Sequence, residues 1–165
     1  MYEKNTLKID PNILNSNIPV LGICYGMQLI AQHFKGKVKT SNKSEFGNTQ
    51  IKIFKGKIFK KINRKELNVW MSHGDKVTKL PKGFKRIASS KNCAIAAIES
   101  IKDKKFGLQF HPEVTHTDNG SKILEAFIKD ICKCQAKWRA KNIVKKLVEE
   151  IRTVSYTHLT LPTMS

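Results

Sequence analysis

The sequence predicts an α/β fold, a central sheet flanked by helices. Pro19 to Ile23 is an apolar run that passes through Cys24 into a helical pattern, with Met27, Ile30, Ala31 and Phe34 on one face at i, i+3, i+4, i+7 spacing. Phe106 to Phe110 reads as a strand with Phe106, Leu108 and Phe110 on one side. Between the two lie short strand-like segments, and amphipathic helical patterns close the chain.

Taken in order, Asp10-Pro11 opens a short helix over Pro11 to Asn15, with Asp10 capping and Pro11 at the first position. Gly36 is expected to end the helix after Cys24 as its left-handed residue. Lys37 to Thr40 is a strand, and Ser41 to Gly47 a loop. Thr49 to Phe54 and Gly56 to Ile62 read as a hairpin or meander around Lys55-Gly56. Leu67 to Met71 is a strand that ends in a turn at Ser72-His73-Gly74-Asp75. Arg86 to Ser89 and Cys93 to Glu99 are two more, joined by Lys91-Asn92. Lys102 to Lys105 is a charged turn before the strand that ends at His111. A helix follows Gly120 with Leu124, Phe127, Ile128 and Ile131 as its apolar face. Another spans about Trp138 to Thr153, with Val144, Leu147, Val148 and Ile151 on one stripe. Val154 to Ser165 contains no lysine and changes character, so it reads as a non-native tail and His158 carries no functional weight.

Composition narrows the classes. At 165 residues, 40% hydrophobic and 27% charged, the chain has the make-up of a globular protein about one domain long. No apolar run is long enough to cross a bilayer, and Met1-Tyr2-Glu3-Lys4 lacks a signal peptide's apolar core. The four cysteines then read as reduced thiols of a cytoplasmic protein. Cys132-x-Cys134 has no second Cys or His pair at zinc spacing, so no metal site is expected. The net charge of +18 comes from 31 Lys+Arg against 13 Asp+Glu, and only Arg64, Arg86, Arg139 and Arg152 are arginine. The lysines are spread along the chain, and arginine, which suits bidentate phosphate and base contacts, is scarce. The charge therefore reads as a solvated surface, with nucleic-acid binding the lower-ranked alternative.

Gly22-Ile23-Cys24-Tyr25-Gly26 has the form of a nucleophile elbow, G-x-C-x-G. Its glycines permit a tight turn, and a helix N-terminus behind the thiol favours the thiolate. By itself this pattern also fits a buried core cysteine. The strand end His111-Pro112-Glu113 supplies a partner, since positions i and i+2 of an extended chain point the same way. A carboxylate beside an imidazole fixes its tautomer and keeps it basic, as a cysteine nucleophile requires. His33 and Cys93 read as a surface and a core residue.

On these residues the chain resembles the class I (triad) glutamine amidotransferases. Trp70 to Val77, His111 to Thr117, Glu45-Phe46-Gly47 and Asp130 to Trp138 are similar in wording to the GMP synthetase branch of that class. The resemblance covers about Pro19 to Arg152. It implies a flavodoxin-like mixed sheet flanked by helices, with the family's first βα units missing. It also implies domains at 1–135 (partial amidotransferase), 136–153 (start of an ATP-pyrophosphatase domain) and the tail 154–165. The implied catalytic residues are Cys24, His111 and Glu113, with the Tyr25 N–H as half of an oxyanion hole. Gln28, Ser72 and His73 are implied for binding glutamine, while Asp75, Lys76, His116 and Thr117 would face the synthetase domain. The other oxyanion donor and the pyrophosphate loop are expected outside this chain, which is read as an internal fragment. Losing one such donor costs about 10²–10³ in rate. The implied activity is glutamine hydrolysis that feeds ammonia to ATP-dependent amination of XMP. No cofactor is expected in this chain, ATP and Mg belonging to the absent domain; the implied partners are glutamine, XMP and ATP, and a homodimer in the full-length protein. A catalytically incomplete fragment or regulatory module is the alternative.

Overall fold

A computed structural model describes residues 8–135, 144 and 147–153. The chain divides into two compact units, Met1–Lys133 and Cys134–Ser165. Among the described residues the first unit holds α1 (Pro11–Asn15), β1 (Val20–Ile23), α2 (Tyr25–His33), β2 (Lys37–Ile53), β3 (Glu66–Lys79), β4 (Lys85–Ser90), β5 (Ala97–Ser100), β6 (Lys105–Leu108) and α3 (Gly120–Glu125). They form one six-stranded mixed sheet in the order β1-β6-β5-β4-β2-β3. Only β1 and β6 pair in parallel, with Val20 opposite Lys105 and Ile23 opposite Leu108. The other pairs are antiparallel.

Side chains alternate across this sheet and build an apolar core on each face. Along β5 and β6, Ala97, Phe106 and Leu108 join Met71, Ile87 and Ile123. Ile98 joins Leu14, Met27, Ile30 and Ala31, which come from α1 and α2. Both inner strands are thus buried on two sides, as strands between helix layers are. Phe106 meets Phe127 edge-on at 5.9 Å, which ties the segment after α3 to its face.

Several elements match the sequence reading. Asp10 Oδ1 accepts from the Asn12 N–H at 2.9 Å, capping α1 beside Pro11. Met27, Ile30 and Ala31 are buried on α2, and Phe34 packs against the same cluster. Cys93 is fully buried.

Others depart from it. Ser41 to Gly47 lies inside the long β2 and is no loop, and Ser72 to Asp75 lies inside β3 and is no turn. The two strands form a ribbon, and cross-strand pairing overrides the turn propensity of Ser, Gly, Asn and Asp. Gly56 opens a 3₁₀ turn, Lys57–Phe59, in place of a second hairpin strand. The strand expected over Cys93 to Glu99 begins only at Ala97 and runs to Ser100. Lys35, at φ 64°, is the left-handed residue after α2, and the Gly36 N–H closes the helix on Ala31 O at 2.7 Å. After α3 the backbone becomes π-helical over Ala126–Ile131. The wider turn shifts the apolar phase, so Ile123 and Ala126 are buried while Ile128 is exposed.

Lys105, read from sequence as part of a charged turn, is fully buried at the start of β6. Its Nζ donates to Ser16 O at 2.8 Å and Ile18 O at 2.9 Å, tying the entry to β1 onto β6. Burial holds its ammonium below the ordinary lysine range.

In the second unit, residues 144 and 147–153 are helical, with Val144, Leu147, Val148 and Ile151 exposed. The rest of the helix expected over 138–153, and the tail 154–165, lie outside the described residues. No described helix is long and apolar enough to cross a membrane.

Candidate active site

Cys24 stands where β1 becomes α2. Its backbone is at φ 51° and ψ −105°, a region costly for a residue with a Cβ. The surroundings hold it there. The Cys24 N–H donates to Leu108 O at 2.7 Å, so the turn is bonded to the end of β6. A Cβ on Gly22 would lie 2.5 Å from the Gly26 carbonyl and 2.7 Å from Ile30 Cδ1. At Gly26 a Cβ would meet nothing within 4 Å. The first glycine of the motif is therefore a steric requirement of the strand–helix approach, and the second is not.

His111 sits just past the end of β6, the parallel neighbour of β1, so both side chains emerge at the carboxyl ends of adjacent strands. The His111 ring Nδ1 lies 2.7 Å from Glu113 Oε1. The segment is fixed from below: the His111 N–H donates to Trp70 O at 3.0 Å, and the Thr117 hydroxyl donates to His111 O at 2.6 Å. The same hydroxyl accepts from the Trp70 N–H at 3.0 Å, so β3 and the loop after β6 are clasped together. The Gly120 backbone packs so closely on Pro112 that a Cβ there would collide with the Pro112 carbonyl.

A shallow cleft of about 360 Å³ opens beside the thiol, lined by Cys24, Tyr25, Gln28 and Ser72 to Asp75. Ser72 O is 3.5 Å from Cys24 Sγ. Gln28, buried on α2, donates through Nε2 to Asp75 O at 2.9 Å. His73 borders the same cleft, and its side chain is buried against Glu45.

Gln109 is a site residue the sequence reading missed. It is fully buried, its Nε2 lies 3.7 Å from Cys24 Sγ, and its Oε1 is 3.4 Å from Gln28 Nε2. The signal was a polar residue inside the apolar run from Phe106 to Phe110. Thr117, expected at a domain-facing surface, is instead buried and bonded internally. His116 is exposed, and its ring lies 4.8 Å from that of Trp70.

The helix N-terminus does not make the resting thiol acidic. Burial pushes the Cys24 thiol above its ordinary range, and the Tyr25 N–H and Gln109 amide oppose that only in part. The nearby Glu113 carboxylate adds to the rise. The thiol therefore needs a base to ionise it.

A cysteine at a strained strand–helix elbow thus stands beside the parallel strand that leads into a His–Glu pair. Residues 2–131 match the family model for glutamine amidotransferase class-I, and the chain belongs to that family. Among curated relatives it is 44% identical over 152 residues to the GMP synthase [glutamine-hydrolyzing] of Macrococcus caseolyticus, which covers 92% of this chain and 29% of the relative. It is 44% identical over 155 residues to that of Neisseria meningitidis, covering 92% and 30%. The chain thus spans about 30% of the length of the curated relatives it matches. Among solved structures it is similar to a candidate GMP synthase component from Thermoplasma acidophilum, with TM-score 0.69, 35% identity and coverage of 81% and 64%. A glutamine amidotransferase of Thermotoga maritima follows at TM-score 0.57 and 30% identity, covering 74% and 51%.

Proposed function

We propose that this chain hydrolyses glutamine to glutamate and ammonia through Cys24, His111 and Glu113. The observation that carries the reading is the strained Cys24 elbow set beside the strand that ends in the 2.7 Å His111–Glu113 pair. His111 takes the thiol proton as Cys24 attacks the side-chain amide carbon of glutamine. The tetrahedral oxyanion is held by the Tyr25 N–H at the start of α2. His111 returns the proton to the departing ammonia, leaving a glutamyl thioester on Cys24. A water, deprotonated by His111, then hydrolyses the thioester and frees glutamate. Glu113 keeps the imidazole oriented throughout. Gln28 and the Ser72-His73 segment hold the substrate, His73 through its backbone.

The two curated relatives, both glutamine-hydrolysing GMP synthases, support a larger role. On this reading ammonia passes to a synthetase domain that aminates XMP at the expense of ATP with Mg²⁺, in a cytoplasmic homodimer. No described residue is assigned to ATP, Mg²⁺ or XMP, and none of the steps above runs through them.

The test is ammonia release from glutamine by the purified chain and by Cys24→Ala. Release that disappears in the variant supports the reading. Release that survives it, or a wild-type chain with none, overturns it in favour of a module that keeps the site without the activity.

A further inference from the structure

Glu45, His73 and Cys93 form a cluster outside the chemistry just described. All three are buried, and their ligand atoms lie within 4.8 Å of one another. His73 Nε2 is 3.2 Å from Glu45 Oε2, and neither atom has a hydrogen-bond partner among the described residues. The other Glu45 oxygen accepts from the Ser90 hydroxyl at 2.7 Å. Three such groups could hold a cation, but the Cys93 thiol is already committed. It donates to Ile95 O at 3.2 Å, and burial pushes it up to about 11. The nearby Lys76 ammonium, bonded to Asn92 O at 2.7 Å, adds positive charge where a metal would sit. The arrangement is that of a polar strut.

What the strut supports follows from the strand register. β3 is an edge strand of the described sheet and pairs only with β2. Pairing runs unbroken from Val38 to Thr40 and from Glu45 to Lys52, but Thr40 faces Asp75 while Glu45 faces His73, so Ser41–Ser44 bulges opposite Gly74 alone. The ladder is therefore interrupted where β3 forms the cleft wall. This stretch supplies Ser72 O beside Cys24 Sγ and Asp75 O to Gln28. His73 lies between the two carbonyls, and its Nδ1 is 3.1 Å from Asp75 O.

We infer that Glu45, acting through the buried His73 side chain, is a positioning residue for glutamine binding. It replaces the missing ladder support and fixes the wall that faces the substrate. The inference rests on the glutaminase reading above. Glu45 touches neither Cys24 nor the cleft, so its loss should weaken binding of ground state and transition state alike.

The experiment compares Glu45→Ala, Glu45→Asp and Glu45→Gln in the full chain. Glu45→Ala is expected to raise KM for glutamine about tenfold with kcat within about threefold, the pattern of lost uniform binding. Glu45→Asp, which shortens the reach and preserves the charge, keeps the test available if the alanine variant does not fold; its KM should rise about threefold. Glu45→Gln keeps one acceptor oxygen for the Ser90 hydroxyl and turns its amide NH₂ toward His73 Nε2, and should recover near-wild-type KM. Amide exchange over Ser72 to Asp75 should quicken in the alanine or aspartate variant relative to the rest of β3. Variants that melt earlier but keep KM and local exchange unchanged would overturn the inference. So would one zinc ion per purified chain that is lost in His73→Gln. If the wild-type chain releases no ammonia, the functional reading fails by itself, and exchange over Ser72 to Asp75 still decides whether the strut exists.

Discussion

Two His–Glu pairs stand among the described residues, and they differ mainly in their surroundings. His111 and Glu113 meet at 2.7 Å with side chains 24% and 47% exposed. His73 and Glu45 meet at 3.2 Å with side chains 2% and 3% exposed. The first pair stands at the open carboxyl end of the parallel strands, where a proton can arrive and leave. The second is sealed in a broken ribbon, where separating the partners strands a buried polar group. On the reading proposed above, the same residue types serve a reaction in one place and the shape of a wall in the other. What divides them is access to water.

The largest effect should come from the exposed pair and appear in rate alone. His111→Asn removes the base and is expected to lower kcat by about 10²–10⁴. The folded state should respond little, with a stability change of about 1 kcal/mol by urea denaturation, since the ring is partly in water. A variant that retains most of its kcat would break the comparison, because neither pair would then be chemical.

The buried pair should behave in the opposite way. His73→Asn takes away the imidazole that faces Glu45 and leaves its buried carboxylate short of one partner, a change that typically costs about 1–3 kcal/mol. The acid limb offers a milder probe. The His73 and Ser90 contacts outweigh the burial of Glu45 and hold its carboxyl below the usual carboxylate range. A folded-state pKa below the unfolded one contributes stability that is present above the unfolded value and lost as pH falls through the folded one. The stability advantage of wild type over Glu45→Gln should therefore be steady at neutral pH and shrink from about pH 4.5 downward. Parallel urea titrations from pH 3 to 7 would show it, and a difference that does not vary with pH would mean Glu45 is not ionised in the fold.

Sequence reasoning reached these two pairs unequally, for physical reasons. The strand–turn–helix at Cys24 and the strand ending in His111 are local patterns, where apolar periodicity and a cluster of chemical groups coincide. The β2–β3 ribbon is not local. Ser41 to Gly47 and Ser72 to Asp75 carry turn-forming residues, and their extended conformation depends on each other across the ribbon. Glu45 reads as a loop residue and His73 as a turn residue implied for glutamine binding, and nothing nearby in sequence announces that they are buried. Lys105 hid likewise, since its burial depends on two carbonyls that lie before β1. Gln109 was legible in principle as a polar interruption of an apolar strand. Its contact with the thiol depends on β1 and β6 being neighbours.

The smallest effect sharpens the contrast most. Glu113 pairs with His111 at the shorter of the two distances, yet its carboxylate is about half in water. Solvent screens such a pair, and two long side chains lose rotamer freedom to form it. Glu113→Gln should therefore change unfolding free energy by under about 1 kcal/mol. Its effect belongs in kcat, through a less well-oriented His111. If Glu113→Gln costs as much stability as His73→Asn, distance and not burial governs these pairs. If it costs little and kcat falls, the shorter contact is the weaker strut and the better catalytic device.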